Sequence, residues 1–341
     1  MFQMQHKNNF DLIRFLAASS VVLSHSFQLP TGKVEDDPLW GLSHQTSTIG
    51  SMAVWVFFII SGYLITSSAE RSRPFGYFMA RVLRIFPALI LVSFISSFLL
   101  GPLITNSSGY WTDFQTYKYF LGNASLIQIQ YTLPGVFTQN AFRDIVNGAL
   151  WTLKIEFYCY IIFGLMIFVF VSTRKHIISW FFVFLYIGYF FVQDEKFPAN
   201  LQVNFDLFRY FAAGAVFYLW RGQIPLKSIL AWLALGMVVL GVLTGLTRFI
   251  FPIAGTYLVL CLALGDRYAN FATWGDFSYG IYLWGFPVQQ LIVMRLPNSN
   301  WFVNFFLALP IAAFLAYISW HLIEKRALSF KKRISVRKST V

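Results

Sequence analysis

Two ionisable side chains, Arg14 and His25, stand in the first apolar run of the chain, FDLIRFLAASSVVLSHSF. On an α-helix the 11 residues that separate them span about 16 Å and leave both side chains close to one face. A charge in the middle of a bilayer costs free energy, so an ionisable residue at that position suggests a functional site. Histidine titrates nearest to neutral pH and suits proton abstraction from an alcohol. We expect one helix to carry a cationic site near one membrane surface and a candidate base near the other.

A second pair of cations, Arg81 and Arg84, stands three residues apart in ARVLRIFPAL, where they share one helix face. Each guanidinium offers a planar fork of donors that never deprotonates, which suits phosphate or pyrophosphate. The alternative is that both side chains anchor the helix end to lipid headgroups. Because Arg14 lies near the same membrane surface, the sequence favours a bound polyanion.

A carboxylate, Glu156 in WTLKIEFYCY, is expected about two turns below the opposite membrane surface, near the depth of His25. A carboxylate at that depth must be paired or protonated. Lys154 is two residues away and faces another direction. Glu156 could therefore orient His25 and stabilise its charged form, or touch an acceptor hydroxyl. For His25 itself, the alternative is an interfacial histidine bonded to a neighbouring carbonyl group.

Several other polar and aromatic side chains are weaker candidates. Ser61 stands beside Gly62, and small residues of this kind allow helices to approach closely. Tyrosines in SYGIYLWGFP could line a cavity or belong to an aromatic interface belt. His321 and Glu324 form an i, i+3 pair that would anchor the last span. The candidates for lining a cavity are Asp11, Ser61, Trp151, Tyr279 and Tyr282.

The composition predicts a polytopic membrane protein of all-α class. Of the 341 residues 57% are hydrophobic and only 12% charged, with a mean hydropathy of +0.61. We expect one membrane domain over residues 1–330, with about ten transmembrane helices around a central cavity, and a basic cytoplasmic tail over 331–341. The predicted spans are 9–29, 47–68, 82–102, 149–171, 177–193, 206–221, 226–244, 248–265, 274–294 and 301–322.

The net charge of +12 is explained by topology rather than by nucleic acid, which is not expected as a partner. With both termini in the cytoplasm, most Lys and Arg residues fall on the inner side, as the positive-inside rule requires. The basic tail would also attract anionic lipid. The outer segment 103–147 could lie along the interface or re-enter the membrane, as a roof over an outward-facing site.

The sequence lacks metal-ligand spacing, a Walker loop and a dinucleotide glycine pattern, so it predicts no metal site and no permanently bound cofactor. It also lacks a repeat of fixed period or an inverted similarity between its halves. Many transporters are built from such repeats, so their absence weakens a transporter interpretation.

Six blocks of the chain, taken in order, resemble the acyltransferase 3 family of integral membrane acyltransferases. They cover roughly residues 8–328 and read NFDLIRFLAASSVVLSH, VWVFFIISGYLI, ARVLRIFP, WTLKIEFYCY, SYGIYLWGFP and WHLIEKRAL. The resemblance implies acyl transfer from cytoplasmic acyl-CoA, often acetyl-CoA, to a hydroxyl of a glycan or another envelope molecule. Polysaccharide O-acetyltransferases are relatives of this kind.

The resemblance also assigns roles by position. Arg14 and His25 match the arginine and histidine of the first helix, Arg81 and Arg84 match the paired arginines, and Glu156 matches the glutamate of the tryptophan block. It thus implies that the arginines bind the donor phosphates and that His25 and Glu156 are catalytic. Direct transfer is preferred to a covalent acyl-enzyme.

Two positions depart from the family pattern: Gly285 replaces a histidine found in many relatives, and Trp55 an aspartate. No soluble hydrolase-like segment follows residue 328, so the chain is expected to reach its acceptor itself or to pass the acyl group to a polysaccharide-assembly protein.

The expected enzyme is an acyl-CoA-dependent O-acyltransferase of EC 2.3.1 type in the bacterial inner membrane, modifying exopolysaccharide or lipopolysaccharide. The alternative is a transporter or flippase of an anionic lipid or glycan intermediate.

Overall fold

The computed structural model describes residues 8–193 and 196–336, and the regular secondary structure of this part of the chain is helical. Its one β contact is an isolated bridge between Thr132 and Ile145. The all-α class is confirmed. The α-helices are α1 Phe10–Gln28, α2 Pro38–Leu42, α3 Ile49–Glu70, α4 Pro74–Ile95, α5 Gly101–Ile104, α6 Phe114–Ser125, α7 Trp151–Val169, α8 Arg174–Val192, α9 Ala199–Leu219, α10 Ser228–Leu243, α11 Thr247–Ile250, α12 Thr256–Ala263, α13 Ser278–Arg295, α14 Trp301–Ser319 and α15 Lys325–Val336.

Three π-helical segments join neighbouring α-helices without a break in the chain's helical path. They are Ser96–Leu100 between α4 and α5, Phe251–Gly255 between α11 and α12, and Trp320–Glu324 between α14 and α15. Such turns insert a residue into an α-helix and are common at functional sites. Short 3₁₀ turns at Val34–Asp36 and Phe271–Trp274 complete the helical elements.

Six of the helical stretches are long and apolar enough to cross a membrane: Phe10–Gln28, Ile49–Glu70, Pro74–Ile104, Trp151–Val169, Arg174–Val192 and Trp301–Phe330. The apolar helices Ser228–Leu243 and Thr247–Ala263 are shorter. Each of the ten predicted spans falls on a helical stretch. Among the described residues, however, six stretches are both long enough and apolar enough to cross a membrane. The total of ten spans therefore stays a prediction, as does the central cavity.

The chain divides into two compact units. Unit 1 comprises residues 1–17, 39–78 and 155–274, and unit 2 comprises 18–38, 79–154 and 275–341. The single membrane domain predicted over 1–330 stays a prediction. Of the predicted tail 331–341, the backbone of α15 reaches Val336, and residues 337–341 lie outside the described residues.

Glycines bring α3 and α9 together in unit 1. A Cβ atom added to Gly62 would lie 2.0 Å from the carbonyl oxygen of Phe211, and one added to Gly214 would lie 2.0 Å from that of Ile59. No side chain fits at such a distance, so each helix presents bare backbone to the other. The predicted packing role of Gly62 is confirmed.

A buried ion pair fixes the neighbouring part of unit 1. Arg209 of α9 is completely buried and donates a hydrogen bond of 2.6 Å to Asp206, one turn earlier on the same helix. Its guanidinium carbon lies 3.5 Å from the ring centroid of Tyr189 on α8. Arg248 approaches the other oxygen of Asp206 at 4.0 Å and donates to the Tyr189 hydroxyl at 3.2 Å. A local salt bridge and a stacked ring thus enclose this charge.

Buried amide side chains connect the elements of unit 2. Gln289 on α13 donates to the Val22 carbonyl and the Ser26 hydroxyl on α1, both at 2.8 Å, and to Asn304 on α14 at 2.9 Å. These bonds tie three helices at one level. They also determine the rotation of α1, because Val22 and Ser26 are one turn apart on it.

Candidate functional site

The last two turns of α1 present His25 in unit 2. Its imidazole packs against the ring of Phe286 on α13, with centroids 5.1 Å apart and planes at 80°. A Cβ at Gly148 would lie 2.6 Å from Phe286 Cε2, so the absence of a side chain at 148 leaves room for that ring. Within unit 2, neither nitrogen of His25 has a hydrogen-bond partner. The half-buried imidazole is therefore held by an aromatic contact, with its polar atoms available.

Polar contacts on either side of His25 hold the helix that carries it. Ser24 donates a hydrogen bond of 2.5 Å to the buried carboxylate of Asp37, and Gln28 donates to Ser24 at 3.2 Å. Together with the bonds from Gln289, these contacts use the polar groups at positions 22, 24, 26 and 28. Sequence reasoning did not identify Asp37 or Gln289, because both lie outside the helix and outside the quoted ionisable motifs.

In unit 1 the structure brings two predicted residues together, Ser61 of α3 and Glu156 of α7. The Ser61 hydroxyl donates to Glu156 Oε1 at 2.7 Å, and the Tyr160 hydroxyl donates to the same oxygen at 2.5 Å. Ser61 and Tyr160 are buried, whereas Glu156 is half-buried. Both donors bond one oxygen, so Oε2 is the second acceptor of the carboxylate. Tyr160 could have been found from the sequence, because it follows Glu156 by one helical turn.

Two carboxylates surround Arg84 of α4 in unit 2. The guanidinium forms a salt bridge with Asp276 and lies 3.9 Å from Glu324 Oε2. It also lies 5.6 Å from the ring centroid of Tyr279 and 5.7 Å from that of Trp320. Arg84 is thus a cation in an acidic and aromatic setting, and a phosphate there would compete with Asp276.

The predicted anchor pair of His321 and Glu324 is wrong. His321 Nδ1 bonds the carbonyl group of Tyr317 at 2.9 Å, while Glu324 Oε1 accepts from the Ser319 hydroxyl at 3.0 Å. The π-helical segment Trp320–Glu324 explains the error, because i, i+3 side chains do not coincide on one face there as they do on an α-helix. Glu324 lies instead next to Arg84.

The remaining predicted cations are distributed between the units. Arg81 precedes Arg84 by one turn on α4 in unit 2, and Arg14 lies near the start of α1 in unit 1. Both side chains are half-buried. Asp11 precedes Arg14 by one turn and is also half-buried.

The aromatic candidates for cavity lining lie in unit 2. Tyr279 donates its hydroxyl to the Ile85 carbonyl at 2.8 Å, and Tyr282 donates to the Ala149 carbonyl at 2.9 Å. Trp151 is half-buried and begins α7. Both tyrosine hydroxyls therefore tie α13 to neighbouring backbone, and their predicted place in a cavity wall stays a prediction.

The two departures from the family pattern have structural reasons. A Cβ at Gly285 would lie 2.8 Å from Val22 Cγ2, so α13 packs against α1 at that position. Trp55 is buried and stacks on Tyr210, with centroids 4.8 Å apart. Both positions serve helix packing in this chain.

Within the described residues, no group of three or more His, Cys, Asp or Glu side chains is arranged to hold a metal ion.

Comparisons with known proteins extend over almost the whole chain. An O-acetyl transferase of Shigella phage Sf6 is 30% identical over 339 residues, covering 95% of this chain and 97% of that protein. Nodulation protein 10 of Rhizobium leguminosarum bv. viciae is 26% identical over 368 residues, covering 98% and 97%. No solved structure matches. The sequence profile of an acyltransferase domain matches residues 7–321, and the chain therefore belongs to the acyltransferase 3 family.

Proposed function

We propose that this protein transfers an acyl group from cytoplasmic acyl-CoA to a hydroxyl of an envelope or extracellular glycan. Acetyl is the acyl group that we propose first. The family membership and the O-acetyl transferase relative support the reaction class and the acetyl group. The observation that carries the proposal is His25, a half-buried histidine whose ring nitrogens are unbonded within unit 2 while the surrounding helix is held in place. Such a group can accept a proton without first breaking a protein contact.

In the proposed reaction His25 acts as a general base. The acceptor hydroxyl oxygen attacks the thioester carbonyl carbon while its proton passes to the imidazole. The carbon–sulfur bond then breaks, the ester is formed, and the imidazolium returns the proton to the departing CoA thiolate. Atoms and charges balance without a cofactor. The T-shaped contact with Phe286 would hold the ring in one orientation during both proton transfers.

Glu156 is the second proposed catalytic residue. Two hydroxyl donors hold its Oε1, and Oε2 is the acceptor proposed to bind the acceptor hydroxyl. Ser61 and Tyr160 would be positioning residues, because they act through Glu156. A Glu156→Gln variant keeps the shape but removes the charge, so we expect turnover to fall while affinity for acyl-CoA persists.

The phosphates of CoA are proposed to bind Arg81, Arg84 and Arg14. Arginine forks suit phosphate oxygens, and charge-assisted bonds of this kind are the strong ones. For Arg84 this requires an exchange, since the phosphate would replace Asp276 as the partner of the guanidinium. The pantetheine arm would then extend along α1 from Arg14 toward His25. We further propose a bacterial inner membrane location with both termini in the cytoplasm.

The test uses purified protein in lipid nanodiscs, acetyl-CoA labelled in the acetyl group and candidate glycans. We expect wild-type protein to release free CoA and to label the glycan. His25→Ala should lower the rate about 10²- to 10⁴-fold, the range that a general base contributes, with CoA affinity nearly unchanged. His176→Ala is the matched control, because His176 is an exposed histidine on α8.

Two outcomes would contradict the proposal. Transfer at the wild-type rate in His25→Ala would remove the histidine from the chemistry. Uptake or translocation of a glycan intermediate without release of CoA would favour the transporter or flippase.

A further inference from the structure

The segment that connects α5 to α7 has an unusual distribution of polar and apolar side chains. On α6, Phe114, Tyr117 and Leu121 are spaced three and four residues apart and point outward, and Phe114 is 73% exposed. The polar residues Thr116 and Asn123 point inward and are buried. A water-facing helix would show the opposite arrangement.

The inward side chains of Thr116 and Asn123 bond the protein's own backbone. Thr116 donates to the Tyr110 carbonyl at 2.7 Å. Asn123 donates to the Gln130 carbonyl and accepts from the Gln130 amide, both at 2.9 Å. These two side chains therefore do not need water.

Aromatic contacts make the outward face of α6 continuous with a candidate membrane span, Pro74–Ile104. Phe98 lies 5.2 Å from Phe120 and 6.2 Å from Tyr117, and Phe94 lies 6.1 Å from Phe120. Phe94 itself is exposed on the span. One apolar surface thus runs from the span onto α6 without a polar boundary.

Two hydrogen bonds show how deep the segment lies. Tyr110 donates to the Ser97 carbonyl at 2.7 Å, seven residues before the span ends at Ile104, which is about 10 Å along a helix. Lys154, in the first turn of α7, donates to the Ile127 carbonyl at 2.6 Å. The segment therefore folds back beside the span instead of projecting beyond it.

The irregular backbone after α6 is satisfied in the way that a membrane environment demands. The buried Gln290 side chain donates to the carbonyl groups of Phe142 and Ile145 at 2.8 and 2.7 Å, and Asn140 donates to the Gln290 carbonyl at 2.9 Å. Non-helical backbone at membrane depth is tolerated only where protein or a water-filled cavity satisfies it. The side-chain amide of Gln290 on α13 satisfies two such carbonyl groups here.

We propose that α6 is embedded in the lipid leaflet at the Ile104 end of the span, with Phe114, Tyr117 and Leu121 against acyl chains. In the predicted orientation this is the outer leaflet. Its partner is lipid, because the face continues the exposed apolar surface of a helix that is long and apolar enough to cross a membrane. The proposal decides between the two positions that the sequence left open for segment 103–147, and it does not depend on the proposed function.

The experiment places single nitroxide labels at positions 114, 117 and 121 in a Cys159→Ala/Cys261→Ala background reconstituted in nanodiscs. Leu99→Cys serves as the lipid reference and Glu35→Cys, outside this segment, as the water reference, since both native side chains are exposed. We expect the ratio of collisions with oxygen to collisions with a nickel chelate to match Leu99 and to exceed Glu35 at least threefold.

Two results would overturn the proposal. A ratio equal to that of Glu35 at the three positions would show a water-facing helix. Exclusion of both reagents would show that another protein covers the face.

A second measurement keeps the native side chains on α6. Lipids brominated on their acyl chains should quench part of the tryptophan fluorescence, and the quenched part should be smaller in Trp111→Phe, because Trp111 is exposed beside Phe98. Equal quenching in both proteins would contradict the proposal.

Discussion

Two arginines, the buried Arg209 in unit 1 and the half-buried Arg84 in unit 2, meet their charge partners in different ways. The partner of Arg209 is one turn away on the same helix, and the guanidinium is fully enclosed beneath Tyr189. The partners of Arg84 come from distant parts of the chain, and its side chain is 16% exposed. Its aromatic neighbours are also farther from the guanidinium than Tyr189 is from that of Arg209.

The difference separates a structural charge from one that can exchange its partner. No ligand can reach Arg209 without opening the fold, so we assign it to stability. In the proposed function Arg84 exchanges Asp276 for a phosphate, and its pair suits this because both side chains are partly exposed and both partners lie on other elements.

The largest effect is expected from Arg209→Leu. It leaves Asp206 buried with Arg248 as a distant counter-charge, and breaking a buried pair lowers the free energy of unfolding by about 3–5 kcal/mol. Thermal unfolding of the purified protein measures this. The double variant Asp206→Leu/Arg209→Leu should recover most of the loss, because apolar residues replace buried pairs at little cost. If Arg209→Leu is as stable as wild type, Arg209 is not the structural charge that this comparison makes it.

Next is Arg84→Gln, for which we expect a defect in donor binding. The KM for acyl-CoA should rise about 10- to 100-fold, corresponding to one lost charge-assisted contact of roughly 1.5–3 kcal/mol, while the melting temperature falls less than in Arg209→Leu. Steady-state kinetics with varied acetyl-CoA provide the measurement. Arg174→Gln, which breaks the partly exposed pair with Glu70, is the control and should leave KM unchanged. If Arg84→Gln is less stable than wild type but keeps the wild-type KM for acyl-CoA, Arg84 is a structural residue like Arg209.

Asp276→Asn should change the KM for acyl-CoA in the opposite direction to Arg84→Gln. Removing the competing negative charge should lower the KM for acyl-CoA about three- to tenfold, or ~0.7–1.4 kcal/mol. The same kinetic assay applies. If Asp276 only stabilises the fold, the KM will stay the same or rise.

The smallest effect is expected from Tyr189→Phe. The ring remains stacked on Arg209, and the hydroxyl that accepts from Arg248 is lost, at a cost of about 0.5–1.5 kcal/mol. Thermal unfolding should record this small shift with transfer unchanged. Tyr189→Leu also removes the ring and should cost more. Equal losses in the two variants would mean that the stacking contributes nothing.

The helices were the most predictable part of the molecule. Apolar runs mark where they lie, since each predicted span falls on a helical stretch. The close approach at Gly62 was also predictable, because small residues in an apolar helix indicate packing. The pairing of Asp206 with Arg209 could have been read from their i, i+3 spacing within VNFDLFRYF.

The partners of the candidate site residues were less predictable. Asp276 is 192 residues from Arg84, and no local pattern joins them. Glu324 was assigned to His321 because α-helical periodicity was assumed across a π-helical turn. The contact between Ser61 and Glu156 depends on how α3 and α7 pack, which composition does not determine.

The wide turn at Trp320–Glu324 also affects how relatives of different length can be compared. It accommodates a surplus amino acid inside a continuous rod, so a deletion there could be absorbed without shortening any loop. The residues that follow would keep their orientation, because only the local turn changes from π-helical to α-helical. In a homologue with such a single-residue gap, counting along the chain would therefore misjudge which side chain stands opposite Arg84.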